Sequence, residues 1–349
     1  MIGEKHQNSI VGMSDAELEE ACNSGHGGAA FWHNWTSELY SLGRCLRYMA
    51  KYPSILPLYV QSDHGVGLGI DLYPNELNNN ANIHFTWLPG KELRYKNLTD
   101  PKVVRIPHPW IFYRRAVGKQ RSKTTKGTLV FFTHHVPGIK WQGHDSEEYF
   151  AQLRALPDKF QPVVICLHKH DVNAGHHKEL RRHAFPIVTA GDTSSTGFVD
   201  QFYALIKDYS YATSPDWGTQ VAYCVEFGLP YFFLGARPKL INLSHPDMEL
   251  GEVVAQDREH LELEKQAEAL FRQPVDVVSA EQRAFVESQL GCDSQITPDQ
   301  ISRILWREFF RHWRQWPHNF KYMLIALLRK IGCFDLVRKM YRYFKGNIS

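Results

Sequence analysis

Between Thr128 and Leu234 the chain alternates short runs of β-forming residues with stretches whose apolar residues recur at helical spacing. Strands are expected at Thr128–Thr133, Val163–Leu167, Pro186–Thr189, Tyr211–Thr213 and Tyr231–Leu234, with helices near 146–155, 175–183, 196–208 and 217–227. Strands separated by helices cannot pair as hairpins; they build a parallel sheet covered on both faces. In such a doubly wound sheet a ligand sits beyond the carboxyl ends of the strands. Those ends carry His134-His135, His168-Lys169-His170-Asp171, Gly191-Asp192-Thr193-Ser194-Ser195 and Ser214 to Gln220. Imidazoles, an ammonium and hydroxyls converging on one edge make a site for an anion. Ser194-Ser195 also serves as a helix cap, which explains its presence without a ligand.

The stretch Tyr209–Gly235 is the most informative part of that pattern. It reads as strand, polar loop, helix, turn and strand, broken by Ser214-Pro215-Asp216 and stopped by Gly228 and Pro230. A loop of serine, glycine and threonine that opens a helix presents free N–H groups to phosphate. This segment resembles the donor-binding segment of glycosyltransferases with the two-domain GT-B architecture. Gly218 takes the place of the loop glycine, and Gly228-Leu229-Pro230 takes the place of the Gly-x-Pro at the helix end. Where many of those enzymes have a ribose-binding glutamate this chain has Tyr223, with Glu226 one turn later. Among the strand-end residues His135 and Lys169 are expected to hold the phosphate, with His134 beside them at the donor site. Ser214, Gly218, Thr219 and Gln220 are expected to contact phosphate or nucleotide, and Tyr223 the ribose or base.

The amino-terminal part reads as a smaller α/β unit. A helix is expected over 31–51, then strands at Leu56–Gln61, Asn82–Leu88 and Val103–Ile106. The first strand runs into Gln61-Ser62-Asp63-His64-Gly65-Val66-Gly67-Leu68-Gly69, which matches neither phosphate-loop fingerprint. Asp63 beside His64 is a candidate orienting pair for a general base. His108, between two prolines, is read as part of a stiff loop. Ala116–Lys126 has no hydrophobic period and reads as a linker. The expected division is 1–116, 127–245 and a helical extension, 246–349.

Charge is unevenly placed. Residues 303–345 hold eleven Lys or Arg against two acids, leaving 29 basic against 35 acidic residues elsewhere. The body is therefore acidic, which disfavours nucleic acid as a partner. The segment 319–345 has apolar residues at helical spacing among lysines and arginines, as expected of a helix lying on an anionic membrane. Packing of that helix on the amino-terminal half is the other reading. Six scattered cysteines without a C-x-x-C pair argue against a zinc site or a disulfide framework. The polar first twenty residues do not read as a signal peptide. Together these predict a cytoplasmic protein, peripheral on the inner face of the plasma membrane. His168-x-His170-Asp171 has ligand-like spacing, but no helical metal motif accompanies it, so no functional metal or cofactor is expected.

The resemblance implies two Rossmann-like α/β domains facing a cleft, followed by a helical extension. The implied reaction is metal-independent transfer of a sugar from a nucleotide-activated donor to a lipid-linked or growing glycan, as in lipopolysaccharide and capsule synthesis. Asp63 or His64 would act as base if configuration inverts, or Asp216 as nucleophile if it is retained. A non-hydrolysing sugar-nucleotide epimerase and a non-catalytic glycan-binding scaffold of the same fold remain as alternatives.

Overall fold

The computed structural model describes residues 12–24, 34–63, 65–72, 74–77, 81–133, 138–142, 147–245, 250–252 and 258–315, with 320, 324, 327, 328, 332 and 333. In chain order the strands are β1 Gln61–Ser62, β2 Ile83–Thr86, β3 Lys102–Arg105, β4 Thr128–Phe131, β5 Ile139–Gln142, β6 Val163–Leu167, β7 Ile187–Thr189, β8 Tyr211–Ser214, β9 Tyr231–Phe233, β10 Lys239–Asn242 and β11 Gly251–Glu252. The fold is α/β with two parallel sheets. β1-β2-β3 form the smaller, and β7-β6-β4-β8-β9 the larger. The chain enters the larger sheet at its centre, builds to one edge, crosses back and builds to the other. The strand order reverses between β4 and β8, where an open α/β sheet leaves a crevice.

Strand periodicity explains how this sheet is covered. Leu129, Phe131, Val164 and Cys166 point to one face, and Val130, Val163, Ile165 and Leu167 to the other. The first face packs on helices Phe198–Ile206 and Thr219–Glu226, the second on Glu147–Arg154 and Asp15–Asn23. The amino-terminal helix thus belongs with the larger sheet: Leu18 and Cys22 are buried there, and the Met13 N–H donates to Ile187 O at 2.8 Å.

Several expectations give way to the observed backbone. The helix expected over 31–51 is two short 3-10 turns and then Leu42–Met49, because Tyr40 (φ 54°) and Ser41 (φ 62°) are left-handed. The linker is docked: Arg121 donates to the carbonyls of Gly228 and Tyr209, both at 2.7 Å. An antiparallel sheet, β11-β10-β5, is absent from the sequence reading. Pro298–Arg311, opened by its Thr297 capping box, returns Ile301, Leu305 and Phe309 to the core beside Leu46, Tyr59 and Phe85. The main core runs without a break from Leu42, Val66, Trp87 and Trp110 to Leu129, Val164 and Val221. Among the described residues no helix is long and apolar enough to cross a membrane.

Candidate active site where two carboxyl edges meet

The carboxyl ends of the two sheets face each other. The loop after β1 lies against the loop after β8: the Val66 N–H donates to Thr219 Oγ1 at 3.0 Å, and Trp217 Nε1 donates to Val66 O at 2.7 Å. The end of β3 reaches helix Thr219–Glu226, which follows β8, through His108 and Tyr223, whose Nε2 and hydroxyl are 3.0 Å apart. On the other side of the switch point, the Tyr40 hydroxyl lies 3.1 Å from His168 Nε2, and the Tyr40 N–H donates to Thr193 O at 2.8 Å. Ser41 Oγ donates to Ser195 O at 2.9 Å. Loops after β6, β7 and β8 therefore share one rim with segments of the smaller unit.

The residues expected at this rim fare differently. His64, His134 and His135 lie outside the described residues. Lys169 stands at the end of β6, the first residue of helix Lys169–Asn173, with Nζ 2.6 Å from Asp192 Oδ1. Its side chain is about one-fifth exposed and its ammonium is held at the rim by a carboxylate. Ser214 ends β8 and spends its hydroxyl on Asp216 O at 2.6 Å. Gly218 is the cap of helix Thr219–Glu226, in extended backbone, and a Cβ there would lie 2.5 Å from Gln220 Oε1. The absence of a side chain at 218 leaves room for the Gln220 amide beside the loop. Thr219 is at the crevice, but its hydroxyl oxygen already accepts from Val66, which makes it a strut between the two loops.

Two expected roles are overturned. Tyr223 is 4% exposed, stacked on Trp110 with centroids 4.4 Å apart, and bonded to His108. It faces the core and cannot meet a ribose or base. Glu226 is equally buried and paired with Arg114 and Arg115. Asp63, expected as a base, is 5% exposed and fully engaged. Its Oδ1 receives Lys91 Nζ at 2.6 Å and lies 2.9 Å from His84 Nε2, while Oδ2 receives Thr86 Oγ1 at 2.6 Å. Burial by itself would raise the Asp63 pKa. The Lys91 charge, then the His84 hydrogen bond and charge, outweigh it and hold the carboxyl well below the ordinary range. So weak a base, sealed from solvent, does not deprotonate an acceptor.

Asp216 remains at the crevice with a partner on each oxygen, the Trp217 N–H at 2.7 Å and Arg237 Nε at 2.6 Å. Burial raises its pKa, opposed by Arg237. Both oxygens are thus held in place at the crevice, and the side chain is about a quarter exposed. Asp63, Glu76 and His84 lie close enough together to hold a cation. Lys91 already puts its ammonium 2.6 Å from Asp63 and 3.8 Å from Glu76, so the charge a metal would bring is supplied from within. A groove of about 1070 Å³ opens elsewhere, on the outer side of helix Leu42–Met49, and none of the candidate residues lines it.

Sequence reasoning missed His84, Thr86, Lys91 and Tyr40. The alternation of His84 and Thr86 with Ile83 and Phe85 was a usable signal, since in β2 it puts two polar side chains on one face. Arg237, which joins Asp216 to Glu264, left no local signal.

No protein-family model and no curated protein matches the chain. Among solved structures it is similar to the wall teichoic acid polymerase TagF with CDPG. The identity is 10%, over 72% of this chain and 67% of that one, with a TM-score of 0.34. It is also similar to Anabaena Alr3699/HepE in complex with UDP-glucose, at 12% identity over 75% of each chain, with a TM-score of 0.30. At these values the chemistry of the site rests on the geometry of this chain alone.

Proposed function

We propose that the protein is a glycosyltransferase of GT-B type that binds a nucleotide-activated sugar in the crevice between its two parallel sheets. The observation that supports this reading most is the opposition of two carboxyl edges, one of them at the strand-order reversal between β4 and β8. A donor's phosphates would lie against the 214–220 loop and Lys169, where an ammonium and N–H groups offset the charge of the leaving group. With Asp63 committed to Lys91, the base assignment passes to His64. A lipid-linked or glycan acceptor, in lipopolysaccharide or capsule synthesis, accords with a basic carboxyl-terminal region at a membrane.

The test is a thermal-shift series with CMP, UDP and GDP on the full chain. A ligand at a hundred times its dissociation constant adds ~2.7 kcal/mol of stability. One nucleotide should raise the melting temperature, and Lys169→Ala should diminish the response. Absence of any nucleotide response would sink the donor site and leave the scaffold reading.

A further inference from the structure

Helix Pro298–Arg311 buries Ile301, Leu305, Glu308 and Phe309 and turns an unusual surface outward. Arg303, Arg307 and Arg311 follow one another at four-residue spacing, continued by Arg314 in the next turn, and all four are exposed. Beside them runs a second stripe, Trp306, Phe310 and Trp313. Phe310 and Trp313 are each 62% exposed, and Trp306 stacks on Phe310 at 5.8 Å. Between Gln300 and Gln315 the one acidic residue is Glu308. Its carboxylate is turned inward, 3.1 Å from Asn82 Nδ2 and within 3.5 Å of Arg307 and Arg311. The outer surface of this span therefore shows arginines and aromatic rings without a carboxylate. Further on, Phe320, Leu324 and Leu327 are also exposed.

Large rings left in water on a rigid helix mark a contact surface, and the charge beside them says of what kind. Indole and phenyl rings settle at the boundary between headgroups and acyl chains, while guanidinium groups reach the phosphates. A surface with no exposed acid meets no repulsion from anionic lipid. We propose that the 303–314 face is a fixed membrane-docking surface, which lies flat on an anionic bilayer and sets how the crevice is held over it. This deepens the membrane part of the proposed function, and moves the contact from the 319–345 segment to a helix anchored in the core.

The experiment is co-sedimentation of the full chain with phosphatidylcholine vesicles, with and without phosphatidylglycerol, at two salt concentrations. The wild type should bind the anionic vesicles and release with salt. Arg303→Gln with Arg314→Gln should weaken binding roughly 30-fold, at ~1 kcal/mol per arginine near an anionic surface. These two are chosen because Arg307 and Arg311 also neutralise the buried Glu308. Phe310→Ser with Trp313→Ser should cost about tenfold or more from the lost ring burial. Both double variants should keep the wild-type urea midpoint and nucleotide response, since all four side chains are exposed. Unchanged vesicle binding in both variants overturns the proposal, as does equal binding to neutral vesicles. It is also overturned if the aromatic pair instead abolishes a dimer, or if the arginine pair affects an oligonucleotide but no vesicle. A missing nucleotide response with vesicle binding as expected would discard the donor site and leave this surface standing.

Discussion

The Tyr223 hydroxyl and the His108 imidazole form a buried pair whose protonation follows from its geometry. His108 Nδ1 accepts the Trp110 N–H at 3.2 Å, so the proton of a neutral ring sits on Nε2 and is donated to Tyr223. Burial pushes the His108 pKa down to about 3, with Asp63 opposing the shift only in part. The unfolded ring titrates near ~6.5, so below that the unfolded chain binds a proton that the folded one refuses, and stability falls. The loss should run from about pH 6.5 down to about pH 3; above about pH 4 it is separate from the contribution of Asp63, whose depressed pKa places its release lower. Urea midpoints measured between these limits should fall with pH in the wild type and flatten in His108→Asn, even though that variant is less stable at neutral pH. Tyr223→Phe keeps the stack on Trp110 and loses the hydrogen bond. It should cost roughly 1–2 kcal/mol in urea unfolding and leave the nucleotide-induced thermal shift unaltered; a weakened shift would return Tyr223 to the donor site. Spacing on the helix placed this residue near the ligand, but a helix presents both a core face and a crevice face. Only the packing of Trp110 decides which face Tyr223 is on.

At the scale of elements, what could be read from sequence is what local chemistry dictates. Val163–Leu167 is a strand buried on both faces, five apolar residues long, and Pro298–Arg311 carries its own cap and first-turn proline. The strand has its expected bounds. The helix expected over 31–51 fails at Tyr40 and Ser41, where the Tyr40 N–H is drawn to Thr193 O and two residues take left-handed backbone. β5 and β10 are paired across about a hundred residues and could not be seen in either segment alone. The turn after helix Ala280–Gln289 shows the same dependence on distant partners. Gly291 has φ 62°, and a Cβ there would lie 2.6 Å from Ile106 O and 3.1 Å from Trp87 O. Both obstacles are backbone of the smaller sheet unit and do not swing aside. Gly291→Ala should therefore lower unfolding free energy by roughly 2 kcal/mol or more, from left-handed strain plus the clash. Gly118→Ala, at φ 69° but with nothing near its Cβ, should show the strain alone, and equal losses at the two positions would refute the close-approach argument.

For the whole molecule, two sheets need not mean two independent folding units. The core that covers one face of the larger sheet also takes in Leu42, Val66, Trp87 and Trp110 from the amino-terminal half. The other face is covered in part by Leu18 and Cys22, and Phe271 and Val286 enter from helices beyond residue 245. The 116–126 segment, which reads as a linker by composition, is pinned by Arg121 and by the Lys126 N–H donating to Asp208 O at 3.1 Å. A fragment of 127–245 would keep every strand of the larger sheet and lose one of the two helices on one face and the tryptophan that packs into the other. Removing buried side chains of that size costs about 3–5 kcal/mol each, against a total domain stability of about 5–15 kcal/mol. That fragment should show no cooperative urea transition. The intact chain should unfold in a single step by both tryptophan fluorescence and circular dichroism, because the two sheets share side chains across their carboxyl edges. Two separated transitions, with the first leaving the 127–245 strands folded, would mean that the crevice lies between bodies able to move apart, and the Thr219–Val66 strut would then be a latch to be broken when a ligand enters.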